Sequence, residues 1–195
     1  MPCRRPRGRI RAAILTAGLA LFPAGPGAAE PVNPEAAWGA LRAICVEFMD
    51  RPGVDTVKPH LTEPEAVMGR TTDGFGLFAV IPRPDLVAGS VRYAAAFLNA
   101  QYYPDGTAAQ CMLQLAGTSD LDTGTLMALA DVQADEILGK GWQRFGGPVL
   151  QGLKLAGAFR LYRLPGFPPP RTLRIENHGK IVVLGLTRHF AEATQ

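Results

Sequence analysis

The first 29 residues constrain this chain most, because they decide which part folds and in which compartment. Met1–Arg11 carries five arginines, Arg4, Arg5, Arg7, Arg9 and Arg11, and no acid, which is the pattern of a positively charged leader start. Ala12–Phe22 follows without a charge. At about 1.5 Å per residue it reaches roughly 16 Å, half of a bilayer's hydrocarbon core. Pro23, Gly25 and Pro26 break the run, and Gly27-Ala28-Ala29 offers the small side chains that a signal peptidase accepts. Residues 1–29 therefore read as a cleavable signal peptide, with cleavage expected after Ala29 and a single exported domain over residues 30–195. The competing reading is a retained membrane anchor, and no second apolar stretch approaches the ~18 residues of a span. Arg4-Arg5 touches on twin-arginine export, but Pro6 follows directly, which favours general secretion. Cys3 lies too far upstream of the cleavage point to carry a lipid.

Loss of the leader changes the charge. Five of the 20 Lys and Arg go with it, leaving 15 against 17 Asp and Glu, a net of −2. The remaining charges form neither a basic stripe nor an acidic block, so nucleic acid and an anionic membrane surface are not implied as partners. An exported chain meets envelope or secreted proteins instead, and the expected localisation is periplasmic or secreted. The length that remains suits one compact domain with its own core.

Once Cys3 is removed, Cys45 and Cys111 are the remaining cysteines. In an oxidising compartment such a pair is most simply one disulfide, with two buried free thiols as the alternative. A redox role lacks the Cys-x-x-Cys spacing that lowers a thiol pKa.

Asn33-Pro34-Glu35 signals a helix start: a capping amide, a proline in the first position and an acid at the positive end of the dipole. Trp38, Leu41, Cys45 and Phe48 then recur at helical spacing to about Met49, and Arg51-Pro52-Gly53 stops the run. Residues 54–73 are polar and broken, with a short helical turn expected over Glu63–Arg70. Phe75–Ile81 reads as a strand. Val91–Tyr103 fits a helix by its alanines and a strand by its alternation; Pro104-Asp105-Gly106 before Ala109, Cys111, Leu113 and Leu115 favours a hairpin. Asp120–Leu138 reads as a second helix with Leu126, Leu129, Ala130, Ala134 and Ile137 on one face and Gly139 or Gly141 as its stop. Strands are expected at Leu155–Leu164, Thr172–Glu176 and Lys180–Leu186, the last two a hairpin around Asn177-His178-Gly179, with Pro165–Pro170 as a rigid connection. This order predicts an α+β fold: a mainly antiparallel sheet of about five or six strands, two principal helices on one face and one disulfide.

Little in the chain has the pattern of chemistry. His60, His178 and His189 lack the close ligand spacing of zinc sites, so no metal is expected. Ser90 and Ser119 lie outside the nucleophile motifs, and no phosphate-cradling glycine loop occurs, so no cofactor is implied. Leu121-Asp122-Thr123-Gly124-Thr125 resembles the Asp-Thr-Gly signature of aspartic proteases, with Val183-Leu184-Gly185 in the place of the family's later hydrophobic-glycine segment and Leu186 onward as the helix that would follow. The resemblance implies one half-site of a homodimer in which Asp122 shares a proton with its counterpart. Read from the residues alone, Asp120–Thr125 is the polar start of a helix. Tyr102, Tyr103, Trp142, Phe145 and Phe167 are the aromatics placed to line a groove.

The expectation is thus an exported non-catalytic binding or interaction module, with no catalytic residue assigned. The alternatives are an aspartyl hydrolase using Asp122 and a carrier of a small apolar ligand. Intact-mass measurement of exported material should show a chain beginning at Glu30, within about two residues. Recovery of the full-length chain fixed in the membrane would contradict the leader reading.

Overall fold

The computed structural model describes residues 30–61, 67–71, 74–103, 106–146, 159–166 and 170–191. The expected signal peptide, residues 62–66, Pro104-Asp105, the strand start expected at 155 and Phe167 lie outside them.

Asn33 caps the first helix as its position predicts, its Oδ1 accepting the Ala36 N–H at 3.1 Å with Pro34 next in the chain. Helix α1, Pro34–Ala40, continues through a π-helical stretch at Leu41–Val46 into α2, Glu47–Asp50. Trp38, Leu41, Cys45 and Phe48 are all buried, as their spacing requires. A short helix α3 follows at Val54–Val57.

Two strands are very short: β1, Glu30–Pro31, pairs in parallel with β6, Leu121–Asp122. The others build one antiparallel sheet. They are β2 (Val67–Thr71), β3 (Gly74–Pro82), β4 (Val91–Tyr103), β5 (Gly106–Gly117), β7 (Gln143–Gly146), β8 (Phe159–Arg163), β9 (Arg171–Asn177) and β10 (Ile181–Ala191). The spatial order of the eight is β2-β3-β4-β5-β10-β9-β8-β7. Helices α4, Gly124–Ala128, and α5, Ala130–Leu138, share the sheet face used by the first helix, through Leu126, Ala130, Ala134 and Ile137.

The α+β class, the antiparallel sheet, the helices on one face and the disulfide stand as expected, and the sheet is wider because β2 and β7 extend its two edges. The helical turn expected over Glu63–Arg70 is corrected for its described part, where β2 pairs with β3 from Val67↔Phe78 to Thr71↔Gly74; an available strand edge outweighs weak local propensity. The helix expected from Asp120 begins at Gly124 and breaks at Leu129, because Leu121 and Asp122 pair with β1. Gly139 ends it at φ +81°, a left-handed conformation that suits glycine. Val91–Tyr103 is the strand of a hairpin. Its alanines 94, 96 and 100 are small residues on the helix-facing side, and pairing with β3 and β5 on both flanks overrides their helical preference.

Alternate residues of the central strands make the core: Leu77 and Ala79 of β3, Leu98 of β4, Leu113 and Leu115 of β5, and Val182, Leu184 and Leu186 of β10 meet the helical stripe. Cys45 and Cys111 are bonded across this packing, their Cα atoms 5.4 Å apart and 66 residues apart in the chain. A double Cys45→Ala, Cys111→Ala variant should lose about 4 kcal/mol on the chain-entropy account. Urea unfolding of the oxidised protein beside that variant checks the figure, and equal midpoints would show that the bond adds nothing.

Candidate functional site

The Asp-Thr-Gly segment sits where β6 enters α4. Asp122 is exposed; its Oδ1 accepts the Gly124 N–H at 2.8 Å and its main-chain oxygen accepts the Val32 N–H at 3.1 Å. The buried Thr123 places its Oγ1 3.0 Å from Asn177 Nδ2, and the same amide nitrogen donates to the Leu121 carbonyl at 3.1 Å. Asp122 thus turns the chain into a helix by bonding an N–H two residues along. Val183-Leu184-Gly185 lies inside β10, and the helix expected from Leu186 is corrected to a strand that runs to Ala191. Pairing on both sides, with β5 and β9, holds it extended.

The strongest polar network outside that segment joins α5 to β7 and β8. Tyr162, buried on β8, donates to Asp131 Oδ1 at 2.7 Å, and Arg144 pairs with Oδ2 at 3.1 Å. The Tyr162 hydrogen bond, followed by the charges of Arg144 and Arg160, holds the Asp131 carboxyl below its ordinary range. Burial, then the bond to Asp131, pushes the Tyr162 phenol up. These bonds tie α5 to β7 and β8, so the network braces the helix against the sheet. Trp142 belongs to it, stacked edge-on against Tyr162 at 5.0 Å between centroids and donating to Asp135 at 2.7 Å. A second cluster closes the helix ends: Arg188 bonds the Met49 carbonyl at 3.1 Å and Asp50 at 2.7 Å, while Arg171 bonds the Ile137 carbonyl at 3.4 Å and the same Asp50. Cations at helix C-termini complement exposed carbonyls and the dipole.

His178 stands 2.9 Å from Glu176 in the hairpin turn, and His189 is exposed on β10. Among the described residues no group of three or more His, Cys, Asp or Glu is gathered as a metal site, and no helix is long and apolar enough to cross a membrane. A cavity of about 140 Å³ lies between α1 and the β3–β4 connection, lined by Val32, Ala37, Leu86, Val91 and Leu115 with Asn33 and Asp85. It is smaller than the ~300–1,000 Å³ of sites that enclose a drug-sized ligand.

The second face of the sheet carries no helix among the described residues. Phe78 of β3, Tyr93 of β4 and Ile181 of β10 are 48%, 44% and 39% exposed there. One cross-strand row on this face runs from Val80 through Phe97 and Met112 to Gly185, and on through Arg174 and Leu161 to Phe145. Beside it Asn99 pairs with Gln110, and Gln114 lies opposite Ala95. The segments Tyr93–Tyr103 and Gly106–Gly117 contain no Asp, Glu, Lys or Arg. The centre of the face is therefore aromatic, aliphatic and amide, and its charges stand on β8 and β9.

Of the aromatics expected to line a groove, the structure brings Phe145 to this face, with the Arg163 guanidinium 3.8 Å above its ring. Tyr102 instead points to the helices, its hydroxyl donating to the Pro52 carbonyl at 3.0 Å, and Trp142 braces Tyr162. The Tyr103 side chain and Phe167 lie outside the described residues. Sequence reading missed Phe78, Phe97, Met112 and Arg174. The available signal was alternation, since each sits between neighbours that point to the core. No protein family, curated protein or solved structure matches this chain.

Tyr162→Phe should cost about 2 kcal/mol at neutral pH, the scale of a hydrogen bond to a charged group. Asp131 titrates lower folded than unfolded, so its contribution is complete above the ordinary value of 3.8 and is lost as pH falls through the folded value. Tyr162 titrates higher folded, so its contribution is complete below its ordinary value of 10.0 and is lost as pH rises through the folded value. Urea melts of both proteins across pH 2–9 should show the penalty shrinking at the acid end. A penalty independent of pH would remove Asp131 from the account.

Proposed function

We propose that this chain is an exported, non-catalytic binding module of the periplasm or the secreted fraction, and that its open sheet face receives an envelope or secreted protein. The observation that carries the reading is the composition of that face: exposed Phe78 and Tyr93, half-buried Phe97 and Met112, and the charge-free segments Tyr93–Tyr103 of β4 and Gly106–Gly117 of β5. Cores of protein interfaces are depleted in charge and enriched in aromatic residues, methionine and arginine. A monomer that keeps such side chains in water gains nothing from them, whereas a partner that covers them gains about 25 cal/mol per Å² of apolar area before the costs of association. Export is supported by the arginine-rich leader and by the Cys45–Cys111 bond, which persists in oxidising compartments.

Two measurements test the proposal. A photo-crosslinking side chain at Phe78 or Phe97 should yield a discrete adduct in living cells, while the same group at the exposed Val132 of α5 should not. Adducts at Val132 alone would move the interface to the helical side. Asp122→Ala should cost about 1 kcal/mol of stability, as loss of a helix-start hydrogen bond does, and leave the adducts intact. Acid-optimal peptide cleavage by the purified protein, abolished by that substitution in a folded chain, would replace this proposal with the hydrolase.

A further inference from the structure

Arg174 is the one charged side chain of the long cross-strand row, and its surroundings use it poorly. It leaves β9 and lies flat across β10 at Gly185, where a Cβ would stand 2.7 Å from Nε and 2.9 Å from Cγ. Glycine is thus what lets the side chain cross the strand. Beyond it, Nη2 meets the Met112 thioether of β5 at 3.0 Å. Nε is buried and makes no hydrogen bond, lying 3.4 Å from Glu176 Oε1. Glu176 is shared, since its other oxygen is 2.9 Å from His178 Nε2. A guanidinium carries five donors in a planar fork suited to a carboxylate. Here the hydrogen-bond acceptor is a thioether, which is weak, the ion pair with Glu176 makes no hydrogen bond to the buried Nε, and the adjoining stretches of β4 and β5 supply no acid. Arg171 and Arg188 differ in that each hydrogen-bonds a carboxylate and a main-chain carbonyl, whereas Arg174 has an ion pair with a Glu176 that His178 shares.

Resting on the binding role proposed above, we infer that Arg174 anchors a carboxylate of the partner, and that the face takes an extended acidic peptide segment of that protein. Charge complementarity selects an anion, and the flanking side chains select a peptide over a compact inorganic ion. Strands lie about 4.8 Å apart and the guanidinium lies over β10 against Met112, so Leu161 of β8 and Phe97 of β4 are each about 10 Å from it. In an extended peptide, alternate side chains on one face are about 7 Å apart. An Asp or Glu over the guanidinium therefore carries apolar residues two positions away on each side, one toward Leu161 and one past Met112 toward Phe97, with Gln110 and Gln114 near for main-chain groups. Gly185 serves as the cradle that keeps the guanidinium level with the face.

The test is an NMR titration of the oxidised protein with three probes: the peptide acetyl-Leu-Thr-Glu-Thr-Leu-amide, its counterpart with Gln for Glu, and sodium phosphate. The acidic peptide should bind at least about tenfold more tightly than the Gln form, shifting the Arg174 Nε–H signal and the amides of Met112 and Gly185. Arg174→Met should erase the preference, and Arg174→Lys should reduce it, because an ammonium lacks the fork. Gly185→Ala should weaken binding by lifting the guanidinium; if that chain fails to fold, the two Arg174 variants decide. Equal affinity for the two peptides, phosphate binding as tightly as the acidic peptide, shifts confined to another surface, or no peptide binding would each overturn the assignment. Crosslinks at Phe78 or Phe97 in the face of such a result would leave the docking face standing without its acidic partner.

Discussion

One helical stripe packed on one face of a wide sheet holds this molecule together. Trp38, Leu41, Cys45 and Phe48 fill the hollow over β3, β4, β5 and β10, where Ala79, Ala94, Ala96 and Ala100 keep the floor low and Leu98, Leu113 and Leu184 interdigitate. The disulfide fixes this contact at its centre, joining the π-helical turn to the middle of β5. A helix the length of Pro34–Asp50, with seven, six and four residues in its three successive stretches, is at best marginal alone in water. It exists here because the sheet buries its apolar side, and the sheet keeps one dry face because the helix covers it.

From that asymmetry follows the division of polar chemistry. On the helical side, charges are used to lock elements to one another: Arg42 of the π-helical turn reaches Gln133 and Glu136 of α5, Asp131 holds Tyr162 and Arg144, and Asp50 gathers Arg171 and Arg188. Each satisfies groups that burial would otherwise leave costly. The other side carries no helix among the described residues, and its centre is filled with amides and apolar groups. Arg174 lies in that setting with a buried nitrogen that makes no hydrogen bond. A donor so placed costs stability, and the carboxylate of Glu176, 3.4 Å away, offsets part of that cost.

Legibility in the sequence followed the range of the forces involved. The helix start at Asn33, the stripe from Trp38 to Phe48, the turn at Asn177-His178-Gly179 and the stop at Gly139 all depend on neighbours within about four residues, and all could be read. Residues 67–71 and 120–123 could not, because their conformations are set by β3 and by β1, partners distant in the chain. The Asp-Thr-Gly segment shows the same limit. Its local pattern resembles a catalytic loop, and its environment is decided by Asn177, 54 residues from Thr123.

The sequence by itself determined the compartment expected for the chain, the pairing expected of its last two cysteines, the α+β class and which residues face a core, because composition and alternation act locally along the backbone. Only the tertiary structure decided which strands neighbour one another and what stands on the far face of the sheet. Phe97, Met112, Gly185 and Arg174 come from four strands, Phe97 and Gly185 being 88 residues apart, and only the register of β4, β5, β10 and β9 sets them in one row. Register is a property of paired strands, so it is fixed when the sheet closes and not before.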